Sequence, residues 1–400
     1  MWPTAVRQQE PAMTRPSVVI MIETATIYGR RLLQGITSYL RSHEPWSVFL
    51  EQHELGAEPP AWLRRWKGDG LITRVMTPEF AAWLKQQHLP VIDLNDRLPS
   101  SGFPRINSDD QHIGRLAAEH LLERGFQHFG YCGFSEELWS DRRRDGFRDT
   151  IADQGVTFST FDTPWAMPKT ASWDRQQEQI AEWLVTLPRP AGLMCCNDMR
   201  GQHVLDACTR LGWSVPEEAA VIGVDDDELL CELSDPPLSS VRPNPERIGY
   251  LAAALLDSWM QGRAPDAQEE VLPPLGVATR QSSDVLAIDD PQIAAAVRYI
   301  RESACRGISV TDVLRTVPQS RTMLERKFRK FLGRSPQAEI RHVQIKRARQ
   351  LLAETDLKLE RIAELTGFQH PEYLSVVFKR EVGQTPGEFR RSATSPGKRG

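Results

Sequence analysis

Paired carboxylates such as Asp225-Asp226-Asp227 can do general acid–base work. Nothing beside them completes a catalytic set. The chain has no GxGxxG after its first apolar run, no GxxxxGK[ST] and no GxSxG elbow, so the signatures of dinucleotide, phosphate and acyl chemistry are missing. Cys132, Cys195, Cys196, Cys208, Cys231 and Cys305 form no CxxC pair, and His112 and His203 carry no ligand spacing, so no metal site is expected. A different chemistry is written in the charges. Residues 285–400 carry 22 Lys+Arg against 13 Asp+Glu, a net of +9, whereas residues 1–284 carry 27 against 40, a net of −13. An acidic body with a basic tail points to two tasks, the second with an anionic partner.

The elements that must position these groups follow from periodicity. With 400 residues, 40% hydrophobic and 26% charged, the chain suits a folded protein of two or three domains. No run approaches the roughly 18 to 20 apolar residues of a membrane span, and Met1-Trp2-Pro3 opens no export signal, so a cytoplasmic protein without a membrane partner is expected. Residues 1–14 read as a disordered lead in which Met13 is an alternative start. Short β-branched runs then alternate with amphipathic helices. Strands are expected at Ser17–Ile22, Val48–Leu50, Leu71–Val75, Pro90–Leu94, His128–Cys132, Thr157–Phe161, Gly192–Cys195 and Ala220–Val224. Helices are expected at Tyr28–Arg41, Pro78–Gln86, Asp109–Glu123, Asp141–Gln154, Asp174–Leu187, Met199–Leu211 and Pro245–Met260.

Such alternation predicts an α/β fold with parallel sheets. The length of about 260 residues suits two lobes with a cleft between them, and a ligand would sit at the carboxyl ends of the strands. The stretch Pro273–Pro291 breaks the pattern. The resulting division is a two-lobed domain over 15–280, a linker over 281–291, an all-α domain over 292–392 and a disordered tail over 393–400.

The all-α part contains one unit twice. In the first copy a short helix leads to a longer one with Leu324, Phe328 and Phe331 on a stripe, stopped by Gly333-Arg334-Ser335-Pro336. In the second, Leu359, Ile362 and Ala363 lie on a short helix, Leu374, Val377 and Phe378 on a longer one, and Gly383-Gln384-Thr385-Pro386 ends it. A short helix supporting a better exposed one is helix-turn-helix geometry, and the exposed helix fits a B-DNA major groove. A plain helical bundle is the competing reading. Duplication, the repeated stop and the charge favour DNA.

These residues carry a family resemblance. Ala363-Glu364-Leu365-Thr366-Gly367-Phe368, Tyr373, Phe378-Lys379, Gly383, Thr385-Pro386 and Phe389-Arg390 closely resemble the signature of AraC-family transcription regulators. Ser320, Leu324, Arg326, Phe328, Gly333 and Ser335-Pro336 match its first half. Upstream, Ala118-Glu119-His120-Leu121, Gly125-Phe126, Cys196-Asn197-Asp198 and Val221-Ile222-Gly223-Val224-Asp225-Asp226 resemble the sugar-binding core of LacI/GalR regulators, itself similar to periplasmic binding proteins. Those regulators usually carry the DNA reader at the amino end; here it stands at the carboxyl end. The combination implies a homodimeric activator of pentose catabolism that binds operator DNA, engages RNA polymerase, uses no cofactor and responds to a monosaccharide, D-xylose first. Another monosaccharide, a core that only dimerises, and a sugar-processing enzyme with a helical tail are the alternatives.

A sugar core needs carboxylates and amides to accept from hydroxyls, an arginine fork to donate, and an aromatic ring under the apolar face. Asp93, Asn197, Asp198 and Asp225 at strand ends, Trp139 near the cleft mouth, and Tyr28 and Arg30 after the first strand are the candidates. Arg143 joins them because it aligns with the inducer-contacting arginine of LacI-like cores. Asp109 and Asp198 are equally suited to capping helices. In the tail the resemblance puts Thr322 and Arg326 on DNA, with Arg321 and Lys327 beside them. Glu372, Tyr373, Val376 and Lys379 form the matching face of the second copy.

Overall fold

The computed structural model describes residues 15–51, 58–97, 99, 101–152, 155–165, 173–265, 269–284, 290–355 and 357–394. The lead over 1–14, residues 285–289 of the linker and the last six residues lie outside these. The chain forms two compact units, residues 1–284 and 285–400.

In chain order the first unit opens with β1 (Ser17–Met21), α1 (Ile27–Leu40), β2 (Ser47–Glu51), β3 (Gly70–Thr73), α2 (Pro78–Lys85), β4 (Val91–Asp93) and β5 (Arg105–Ser108). Next come α3 (Asp110–Leu122), β6 (His128–Ser135), α4 (Leu138–Ile151), β7 (Thr157–Pro164), α5 (Trp173–Leu184), β8 (Ala191–Cys195), α6 (Asp198–Arg210) and β9 (Ala219–Val224). It closes with α7 (Glu228–Leu233), β10 (Ser239–Arg242), α8 (Pro245–Met260), β11 (Glu269–Leu272) and β12 (Gly276–Ala278).

Two six-stranded sheets result, ordered β11-β5-β4-β3-β1-β2 and β12-β10-β9-β8-β6-β7. Every pairing is parallel except β12 against β10. Parallel strands need crossover helices, which bury both sheet faces. Val18, Ile20, Ile72, Ile92 and Ile106 form one lobe's core with α1 and α8; Leu193, Cys195, Val204, Val221 and Ile180 form the other's. The chain passes between lobes three times, after β5, after β10 and after β11. These crossings bond to one another, Asp109 N donating to Leu272 O (2.8 Å) and Leu275 N to Arg242 O (2.7 Å). The lobes therefore share a three-stranded hinge.

In the first lobe, α1 and α8 touch backbone to backbone. A Cβ on Gly35 would lie 1.9 Å from Glu246 O, and one on Gly249 2.0 Å from Leu32 O. Only glycine allows that approach. Thr26 caps α1 by accepting from Gly29 N (3.1 Å), so the helix starts one residue earlier than its apolar stripe indicated.

The second unit holds α9 (Pro291–Ser303), α10 (Val310–Thr316), α11 (Arg321–Leu332), α12 (Pro336–Glu354), α13 (Leu359–Leu365), α14 (Pro371–Val382) and α15 (Pro386–Thr394). Ser320 caps α11, and Gly333 and Gly383 end α11 and α14 in the left-handed region that favours glycine. Two small cores sit on α12. Ile340 packs with Val313, Leu324 and Phe328, while Ile345, Ala348 and Leu352 pack with Ile362, Leu374 and Phe378. One rigid helix thus spaces the two helix-turn-helix units.

Three expectations are corrected. The linker does not begin at 281: Ser282 and Ser283 are wholly buried against β9 and β10, bonded to Val221 O and Ser239 Oγ. The segment at 276–278 is a strand rather than part of a break. Finally, α15 carries the chain to Thr394, where disorder was expected from 393.

Candidate functional site

A cleft between the two sheets is lined by Glu23, Thr26, Tyr28, Arg74, Asp96, Trp139, Arg143, Trp165, Asn197 and Asp225. Each follows the carboxyl end of a strand: β1 for the first three, then β3, β4, β6, β7, β8 and β9, with Arg143 one turn into α4 beyond Trp139. Parallel sheets put backbone dipoles and flexible connections at that end, and this is why ligands bind there.

Two buried guanidinium groups organise the cleft. Arg74 donates from Nη2 to both Asp96 carboxylate oxygens (2.8 and 2.6 Å) and from Nη1 to Glu23 Oε1, and it stacks over the Tyr28 ring at 4.8 Å. Arg143 donates from Nε to Asp110 Oδ1 (2.8 Å) and from Nη1 to Cys196 O (2.7 Å), lies 4.0 Å from Asp225 Oδ1, and stacks on Trp139 at 4.9 Å. Planar forks that are always charged suit such sites. Three buried atoms, Glu23 Oε2, Arg74 Nε and Asp225 Oδ1, have no hydrogen-bond partner among the described residues. Two acceptors and a donor of the cleft lining thus have hydrogen-bonding capacity not used within the fold.

Burial pushes the Asp110 and Asp225 carboxyls up to about 6, with Arg143 pulling the other way on both. Folded-state values above the unfolded ones mean these groups withdraw stability as pH rises from about 4 to 6. The cleft is built at a cost to the fold.

The lobes also grip each other across the cleft. Arg31 of α1 donates to Asp225 O (2.8 Å) and Asp226 O (3.0 Å), and Arg97 donates from Nε to Glu137 Oε2 (2.7 Å). Trp139 Nε1 donates to that same carboxylate (2.9 Å). Trp139 and Trp165 meet edge to face at 6.4 Å, giving the cleft an aromatic wall.

Of the eight residues expected around a sugar, the structure brings Asp225, Arg143, Asn197, Trp139 and Tyr28 to this cleft. Asn197 also caps α6, its oxygen accepting from Arg200 N (2.9 Å), which leaves its amide NH2 to donate. Asp93, Asp198 and Arg30 do not line it. Asp93 is wholly buried and braced by Ser101 Oγ (2.6 Å), Arg105 and Asn95 N. Asp198 accepts from Ser240 Oγ (2.6 Å) and Asp227 N (2.8 Å), holding the turn that carries Asp225. Arg30 curls back onto Thr24 O and Ala25 O. Glu23, Thr26, Arg74, Asp96 and Trp165 are the lining residues that the sequence reading missed. His203 is pushed down to about 4, chiefly by burial, and stays neutral in the interior.

In the second unit Arg321, Thr322 and Arg326 are exposed on α11, and Glu372, Tyr373, Val376 and Lys379 on α14. Val376 is 65% and Tyr373 49% exposed. Arg321 pairs with Glu325 at 3.2 Å, and Arg341 stacks on Tyr373 at 5.0 Å. Lys327 departs from expectation. It is turned to Asp290, the N-cap of α9, and serves the fold.

The periplasmic binding protein-like domain family matches residues 118–283, a helix-turn-helix domain family residues 314–392, and the XylR N-terminal domain family residues 17–106. A two-lobed polar cleft joined to paired helix-turn-helix units defines a sugar-responsive, DNA-binding transcription regulator rather than an enzyme. The chain is 30% identical over 387 residues to the xylose operon regulatory protein of Escherichia coli K12, covering 94% of this chain and 97% of that protein. Identity to the protein of that name from Haemophilus influenzae is 29% over 381 residues, covering 93% and 97%. The solved structure of the xylose-binding transcription activator XylR matches with a TM-score of 0.80 at 29% identity, covering 95% of this chain and 99% of that one. The chain belongs to the family of xylose operon regulatory proteins. Among the described residues no helix is long and apolar enough to cross a membrane, and no cluster of His, Cys, Asp or Glu could hold a metal ion.

Proposed function

We propose that the effector is D-xylose and that the protein is an activator that works as a homodimer on operator DNA and engages RNA polymerase. The observation that carries the sugar is the pair of buried oxygens without a hydrogen-bond donor among the described residues, Glu23 Oε2 and Asp225 Oδ1, in a cleft with two tryptophans. Each oxygen accepts from a sugar hydroxyl, Arg74 Nε donates to one, and the Trp139–Trp165 wall covers the apolar ring face. On the DNA side Arg326 donates to a guanine edge, Thr322 and Arg321 stand beside it, and the α14 face with Lys379 contributes contacts and register.

Calorimetric titration with D-xylose, L-arabinose, D-ribose and D-glucose tests the effector. Heat with D-xylose in clear preference to the others is expected; a preference for a different sugar overturns the assignment. A pH series adds an independent check. An ionised Asp225 accepts from a hydroxyl more strongly than a protonated one, whose carbonyl oxygen is a neutral acceptor, so affinity is expected to fall as pH drops through about 6, by at most about tenfold per unit. In Asp225→Asn the slope flattens. An unchanged slope removes Asp225 from the site.

A further inference from the structure

The turn after β9 has three clients at once. The Asp225 side chain lines the cleft. The carbonyls of Asp225 and Asp226 accept from Arg31, which belongs to the opposite lobe. The Asp226 carboxylate is ion-paired with Arg280 at 2.8 Å, and Arg280 lies four residues before the end of the first unit. The turn is also held in an unusual backbone, φ being +105° at Asp225 and +51° at Asp226. Side-chain-bearing residues keep consecutive positive φ values only where their surroundings enforce them. Here the enforcers are Arg31, Ser240 Oγ on Asp226 N (2.9 Å), Asp198 on Asp227 N (2.8 Å) and Arg280.

Arg280 lies on the exit segment itself and also fastens that segment to α7 and the start of β10. Its backbone N–H donates to Ser239 Oγ (2.8 Å), its Nη1 to Leu238 O (3.2 Å) and its Nε to Glu232 Oε1 (3.0 Å). Beyond it, Ser239 N donates to Ser282 Oγ, Ser283 Oγ meets Ser239 Oγ and His120 Nε2 (2.7 Å each), and Arg124 Nε donates to Ser283 O (2.7 Å). The chain then enters the helical unit.

We propose that the Asp225–Asp226 turn is the junction through which effector occupancy reaches the DNA-binding unit, and that Arg280 is the positioning residue that passes it on. When the lobes part, Arg31 leaves with its own lobe and two carbonyls lose their donors. The turn then relaxes from its positive-φ conformation, and the Asp226 carboxylate shifts the Arg280 fork and the segment it anchors. An element with two arrangements that both sites bias is what coupling requires.

This rests on the sugar-responsive reading, so the wild type is measured first. A duplex selected from random sequence by the sugar-saturated, full-length wild type serves as probe, with D-xylose as effector. Saturating sugar is expected to change duplex affinity about tenfold in the wild type. In Arg280→Gln and in Asp226→Asn, D-xylose is expected to bind within about threefold of wild type by calorimetry, while the sugar effect on duplex affinity falls below about twofold. Arg280→Lys, which keeps the charge, is expected to restore part of it. A wild type whose affinity ignores sugar overturns both readings. A wild-type response retained in Arg280→Gln or Asp226→Asn overturns the junction alone. Sugar affinity and DNA response falling together in both variants also overturns it, because Arg280 is then only a brace for the cleft.

Discussion

Arg74→Met is expected to abolish measurable sugar binding and to lower folding stability by about 3–5 kcal/mol at pH 7.5. Arg74 is the counter-ion of two buried carboxylates, Glu23 and Asp96, whose side chains are 0% and 10% exposed. Methionine keeps most of the volume but removes the charge, leaving two anions facing each other in a poorly solvated cleft. Urea unfolding at pH 7.5, with calorimetry for the sugar, reads both effects. A variant within 1 kcal/mol of wild type at pH 7.5 would falsify the claim that this pair of ion pairs holds the cleft.

Gly249→Val is the other large effect, and it acts at a distance from any ligand. Its new Cβ would meet Leu32 O at 2.0 Å, and Gly35 closes the same contact from the other side. Neither backbone can yield without separating α1 from α8. A loss of about 3 kcal/mol is expected, together with weakened sugar binding, because α1 carries Tyr28 and Arg31 and is capped by Thr26. Denaturant midpoints and sugar titration check the two parts. Wild-type values for both would mean that the helices are free to slide.

Most of this architecture was legible because it is periodic. α8, α11, α13 and α14 lie where their apolar spacing, prolines and glycine stops put them. What escaped is short. β5 holds a single apolar residue, Ile106, between Arg105 and Asn107-Ser108, and β10 to β12 are three or four residues each, too few for alternation to register. The cleft was read in part for a related reason. Sequence locates strand ends but not the next turn of chain. Asp93 ends β4, yet Arg105 and Ser101 claim it, and Asp96, three residues on, reaches the cleft. Arg74 was taken as the interior of a strand that in fact stops at Thr73. Arg143 came from resemblance; spacing alone gave no reason to separate it from Arg142 and Arg144.

The two exposed helices on α12 are alike in build and unlike in wording. One shows Thr322 and Arg326, the other Glu372, Tyr373 and Val376. A single polypeptide consequently presents two unlike faces, one with the Arg326 guanidinium and one with the Glu372 carboxylate, so a duplex matched to both has a head and a tail. Any dyad in an operator must come from the pairing of two chains, and a half-site copied backwards in front of a promoter would turn this regulator to face the other way.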